Sequence, residues 1–165
     1  AGCGSTLVKY GELLKDDPAW AERAEAFSAK VKDLVSWLDG SRFPVSGSGA
    51  KVTYHDACHL AHAQGITLEP RELVKAKSGG ELVELAESDL CCGSAGSYNL
   101  TEPEMASRLQ KRKVQNIIDS GAEVVVTTNP GCLLQIQSGL RKAGAHNIRA
   151  VHIADYLLEG DTAAD

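Results

Sequence analysis

The sequence predicts an α/β fold: a parallel sheet with helices on both faces. Two observations carry that reading. From residue 50 onward, short β-branched runs alternate with helical stretches, the order that builds βαβ units. The cysteines of that part fall just after the β-runs, and open α/β sheets bind ligands outside the carboxyl ends of their strands.

The elements follow in order. Residues 5–15 read as a helix with Leu7, Val8 and Leu13 as its apolar positions. Asp16 and Asp17 before Pro18 give an N-cap and a first-turn proline. The next helix is predicted over 18–38, because Trp20, Ala24, Phe27, Val31, Leu34 and Leu38 recur at spacings of three and four, which draws one apolar face. Trp20 and Trp37 are expected to pack within this helical pair, and Gly40 to stop it. Ser46-Gly47-Ser48-Gly49 is a flexible linker. It divides a helical segment, 1–45, from the main domain, 50–160.

Beyond it, strands are predicted at 51–54, 82–85, 123–127 and 148–151. Helices are predicted at 70–77, 101–120, 130–143 and 153–159. Thr101-Glu102-Pro103-Glu104 has the spacing of a capping box. Gly121 closes that helix.

A chain of 165 residues has the length of one domain. Its 43% hydrophobic and 24% charged residues are ordinary for a globular protein. The formal net charge of -5 argues against a nucleic-acid partner, since phosphate binding needs clustered Lys and Arg. Arg108, Lys111, Arg112 and Lys113 form a basic run that reads as a solvated helix face. No stretch reaches the length of a membrane span and no signal peptide is present. The start at Ala1 and the single methionine, Met105, read as a piece of a longer protein. Five cysteines, an odd count, do not suggest a disulfide framework. The expected compartment is the reducing cytosol, with membrane contact only through partners.

Cys58, Cys91, Cys92 and Cys132 follow the first three strands. Right-handed crossovers put the loops after these strands on one sheet edge. Three loops distant in sequence are therefore expected to gather four sulfurs. Asn129-Pro130-Gly131-Cys132 places a thiol at a helix N-terminus, where the dipole favours thiolate. Cys91-Cys92-Gly93-Ser94-Ala95-Gly96 sets two sulfurs in a glycine-rich loop, with N–H groups free to approach a cluster. Vicinal side chains diverge, which suits a polynuclear centre better than one tetrahedral zinc. A single buried cysteine is usually inert packing, but four at strand ends are hard to read that way. Gly93-Ser94-Ala95-Gly96 lacks the dinucleotide fingerprint, and the Gly-x-Ser-x-Gly order of a nucleophile elbow is missing.

Tyr54-His55-Asp56-Ala57-Cys58-His59-Leu60, Cys91-Cys92-Gly93-Ser94-Ala95-Gly96 and Asn129-Pro130-Gly131-Cys132 together resemble the cysteine-rich CCG domain of heterodisulfide reductase-like proteins. Among these the chain most resembles iron–sulfur subunits of glycolate oxidase. The resemblance implies an iron–sulfur cluster, 4Fe–4S, on Cys58, Cys91, Cys92 and Cys132. It implies a flavoprotein subunit as electron donor and a quinone as acceptor. It implies an oxidoreductase subunit rather than an enzyme in its own right.

Ala1-Gly2-Cys3-Gly4 echoes Pro130-Gly131-Cys132-Leu133. Cys3 thus resembles the last ligand of a preceding repeat. In one respect the chain departs from the family: Asn129 stands where the fullest motif has a further cysteine. Four thiolates remain, enough for a cubane. His55, His59 or Asp56 could supply a further ligand, although a loop histidine is more often at the surface or hydrogen-bonded. The alternatives are a structural or regulatory zinc domain, a thiol enzyme using Cys91-Cys92 or Cys58 with His59, and the corresponding subunit of a lactate or glycerol-3-phosphate dehydrogenase. An isolated piece handled in air need not retain its cluster.

Overall fold

The computed structural model describes residues 1–38, 49–79 and 82–159. The Gly40 stop and most of the Ser46–Gly49 linker lie outside them. Three strands, β1 (Val52–His55), β2 (Val124–Thr127) and β3 (Arg149–His152), form a parallel sheet in the order β1-β2-β3. Successive side chains on a strand point to opposite faces. All four residues of β1 and of β2 are buried, so both faces are covered, as a parallel sheet requires.

The covering helices are α4 (Cys58–Gln64), α5 (Leu68–Ser78), α6 (Tyr98–Thr101), α7 (Pro103–Asp119), α8 (Pro130–Lys142) and α9 (Ile153–Leu158), after α1 (Gly2–Leu7), α2 (Tyr10–Leu13) and α3 (Ala21–Ser28). α5 packs on β1 and α9, and α8 packs on β2, β3 and α7. Val74, Ile117, Val125, Val126 and Ile136 are at most 1% exposed, each worth roughly 1.5–3 kcal/mol of burial. α7 and α8 touch where a Cβ on Gly139 would lie 2.6 Å from Val114 Cγ2 and 2.8 Å from Gln110 Cγ. Only glycine permits that approach.

The structure corrects several expectations. The 5–15 helix is two short pieces, α1 and α2, and the 18–38 helix stops at Ser28, with only a 3₁₀ turn at Leu34–Ser36 beyond. The apolar positions serve a hairpin instead: Phe27 stacks on Tyr10 with centroids 5.7 Å apart. The Ser28 hydroxyl donates to the Leu7 carbonyl and accepts from Gly11 N–H. Trp20 and Trp37 are exposed rather than packed, at 49% and 73%. Trp20 instead lies under the Arg23 guanidinium.

The 82–85 strand shrinks to one parallel bridge, Thr53 to Val83. The Thr101 capping box does not form. Thr101 ends α6, its hydroxyl turns back to the Tyr98 carbonyl, and α7 starts at Pro103 behind Glu102. Proline at the first helical position is sufficient start signal there. Helix α4 follows β1 directly, where the sequence suggests only a loop around Cys58.

Candidate metal centre

The parallel register aligns His55, Thr127 and His152 in one row at the carboxyl ends of the strands. Every loop that leaves this row starts on the same edge. After β1, Asp56 and Ala57 lead into α4, whose first residue is Cys58. After β2, Asn129 caps α8: its side-chain oxygen accepts from Gly131 N–H at 2.8 Å and Cys132 N–H at 3.3 Å. These are two of the four donors a helix start leaves unpaired. The cap holds Cys132 on the first turn of α8, where it is buried.

The third loop, from Val83 to Cys92, is held by α7. Asn116 donates to the Ala86 carbonyl at 3.0 Å. Arg112 and Asn116 bind the Glu87 carboxylate. The Lys113 ammonium donates to the carbonyls of Glu87 and Ser88. Lys113 is 0% exposed, which corrects the solvated-face reading for that residue. Its position on the helix carried the signal, because it lies on the face of Ala106, Gln110, Val114 and Ile117. Glu87 itself adopts a positive φ of 52°, and its carbonyl accepts from Leu90 N–H in the turn before Cys91.

The thiols are coupled electrostatically in sequence, Cys58 to Cys91, Cys91 to Cys92 and Cys92 to Cys132, while Cys58 and Cys91 stand outside the compact donor set of Cys92 and Cys132. Burial and then Cys91 raise the Cys58 pKa. A hydrogen bond with Cys92, and then burial, push Cys91 well above the usual thiol range. A hydrogen bond with Cys132, aided by burial, pushes Cys92 up to about 12. These shifts favour the protonated thiols of Cys58, Cys91 and Cys92. A metal reverses that balance, since thiolate is the binding form and its protons are released.

Backbone donors already face the sulfurs. Gly93 N–H reaches Cys91 Sγ at 3.3 Å. The backbone at Ala95 and at Ser94 lowers the pKa of Cys91 and Cys92 respectively. Gly93 has φ +90°, and a Cβ there would meet the Ala106 carbonyl oxygen at 2.4 Å. Ala95 has φ 39°. Strained backbone of this kind persists only where the surroundings hold it.

Of the polar groups near the thiols, Asp56 is engaged by Arg71 through bonds of 2.8 and 2.7 Å. Burial pushes its carboxyl up, but the bonds from Arg71 and Ser88 outweigh it and hold it below the usual range. His59 is exposed, with Nδ1 4.0 Å from Cys58 Sγ, the outer limit of a contact to sulfur. His55 lies on β1 rather than in a loop, and it is 1% exposed. Burial, and then Lys113, push its pKa down to about 3, so the ring is neutral.

His55, Cys92 and Cys132 place one donor atom each within 4.8 Å of one another. Among the described residues, the buried side-chain polar atoms without a hydrogen-bond partner belong to Tyr54, His55, Thr127 and Thr128. All sit at the ends of β1 and β2. Of these, the His55 ring lies beside two buried thiols, and a metal ion is one way such an orphaned group is satisfied. Cys3 is exposed on α1. The Gly2 backbone beside it lies close to the Asn129 side chain.

Comparison with known proteins agrees with this chemistry. The family described as "Cysteine-rich domain" (CCG) matches residues 52–137. The chain is 45% identical over 163 residues to the probable glycolate oxidase iron–sulfur subunit of Bacillus subtilis (strain 168), covering 96% of this chain and 37% of that protein. It is 36% identical to lactate utilization protein A of Exiguobacterium sp. (strain ATCC BAA-1283 / AT1b), covering 96% of this chain and 65% of that protein. It is 37% identical to the glycolate oxidase iron–sulfur subunit of Escherichia coli (strain K12), covering 93% and 38%. The chain thus spans less than two thirds of these relatives. It belongs to the CCG cysteine-rich domain family.

Proposed function

We propose that Cys58, Cys91, Cys92 and Cys132 hold an iron–sulfur cluster, 4Fe–4S, and that the chain is an electron-transfer domain of a flavin-dependent 2-hydroxy acid oxidase. The observation that supports this is that Cys58 and Cys132 open the helices after two adjacent parallel strands, with Cys92 beside Cys132 and Cys91 coupled to both Cys58 and Cys92. The names of the relatives point to glycolate, with lactate as the second candidate. The partner is a flavoprotein subunit, and the acceptor a quinone. Residues 1–45 read as the tail of a preceding repeat. No helix among the described residues is long and apolar enough to cross a membrane.

When bound, the cluster supplies a one-electron carrier. The chain's own groups do the rest. The N–H of Gly93 and the backbone at Ser94 and Ala95 face the sulfurs, and such hydrogen bonds stabilise their negative charge. Burial lowers the pKa of Lys113, and its nearness to Cys92 acts against that.

One observation favours a zinc reading: His55, Cys92 and Cys132 already form a compact three-donor set. Anaerobic reconstitution with iron and sulfide decides between them. The cluster reading expects broad visible absorbance that bleaches on reduction. It also expects iron content to fall when Cys58, Cys91, Cys92 or Cys132 is changed to Ser, but not in Cys3→Ser. A colourless protein with one tightly held zinc refutes it.

A further inference from the structure

We infer that His55 is a fifth protein ligand of the centre, its imidazole supplying the donor that the asparagine at position 129 cannot. The inference rests on the cluster reading above and deepens it. Three groups near the thiols, His55, Asp56 and His59, are open from the sequence, and the structure separates them from one another and from Asn129. Asp56 is committed to Arg71 in a two-pronged ion pair. His59 is exposed. Asn129 spends its side-chain oxygen on the N–H groups of Gly131 and Cys132.

His55 alone is both buried and unengaged: it is 1% exposed, and neither ring nitrogen has a hydrogen-bond partner. A buried polar group left unpaired costs about 1–3 kcal/mol. A rigid strand position would not retain two such nitrogens without return. One of them lies within 4.8 Å of both Cys92 Sγ and Cys132 Sγ. That spacing puts the ring within reach of a metal centre held by the two sulfurs.

A neutral imidazole in place of a thiolate makes the site less negative. Histidine for cysteine raises the potential of iron–sulfur centres.

The test is pulsed EPR of the full chain, reconstituted anaerobically and poised in its paramagnetic state, with and without ¹⁵N-histidine labelling. We expect a directly coordinated nitrogen whose coupling changes with the label. It should be lost in His55→Cys and His55→Ala and kept in His59→Ala. His55→Cys should keep iron and sulfide content while lowering the reduction potential, which guards against simple misfolding in His55→Ala. A loaded cluster without histidine nitrogen coupling, or with coupling that survives His55→Cys, overturns the ligand role and leaves the cluster reading standing. A wild-type chain that takes up no iron and sulfide overturns the cluster reading and the ligand role together.

Discussion

Changing Gly93 to alanine asks whether the loop carrying both vicinal cysteines is seated by direct backbone contact with α7. The new Cβ would lie 2.4 Å from the Ala106 carbonyl oxygen, 3.2 Å from its carbon and 3.2 Å from Gln135 Nε2. The Gln135 amide is flexible and can move, but the Ala106 carbonyl is part of α7 and cannot. The residue also has φ +90°, a conformation that costs an L-residue roughly 1–2 kcal/mol. Overpacking against fixed atoms costs about 1–3 kcal/mol more.

The sum is on the order of 2–5 kcal/mol. At about 2–4 °C per kcal/mol for a domain of this size, Tm should fall on the order of 10 °C. Gly96 is the control: its φ is +64°, and a Cβ there meets nothing within 4 Å. Gly96→Ala carries the conformational cost alone, roughly 1–2 kcal/mol. Thermal unfolding followed by circular dichroism measures both variants without any metal. A Gly93→Ala drop no larger than that of Gly96→Ala refutes the claim that α7 seats the loop.

Other outcomes follow from the same geometry. Asp56→Asn should cost about 3 kcal/mol, because it leaves the Arg71 guanidinium without its buried partner. The folded pKa of Asp56 is depressed. Its contribution is therefore complete above the unfolded carboxylate value of about 3.9, and it is lost as pH falls through the folded value. Stability against pH should thus lose part of its acid limb in Asp56→Asn; an unchanged acid limb counts against the pair. Lys113→Met should cost about 1–3 kcal/mol, because the carbonyls of Glu87 and Ser88 lose the ammonium donor and keep only the backbone N–H groups of Leu90 and Asp56. In the loaded chain it should also lower the reduction potential, since a buried cation beside Cys92 is gone; unchanged melting and potential together would sink that role. Gly139→Ala should melt lower through overlap with Val114 and Gln110, by about 1–3 kcal/mol in denaturant titration.

Much of this was legible before folding. Val124, Val125 and Val126 sit in an uninterrupted apolar run, and only a strand covered on both faces wants one. Pro103 and Pro130 mark helix starts whatever surrounds them, because proline gives up no bond at a first turn. The apolar spacing of 18–38 misled, because periodicity says which residues want cover and not what provides it. Phe27 found Tyr10, and Trp37 found nothing among the described residues that buries it. The 82–85 run failed as a strand because it lies beside β1 at the sheet edge and keeps only the Val83 bridge.

The sequence by itself determined which thiols are candidates for a shared centre, those of Cys58, Cys91, Cys92 and Cys132, and the segments that carry them. Strand order and handedness are general properties of βαβ chains, so the convergence of those loops could be argued without coordinates. Only the tertiary structure decided the state of the remaining groups. Asp56, His55 and His59 stand within five residues of one another, chemically equal candidates on paper. Folding buries the first against Arg71, leaves the third in solvent, and aims the second unpaired at Cys92 and Cys132. Likewise Lys113 reads as one cation in a basic run, until the packing of α7 turns it inward onto the loop that carries Cys91 and Cys92. Partner choice is a matter of distance and solvent exclusion between segments remote in the chain, and neither is written in local sequence.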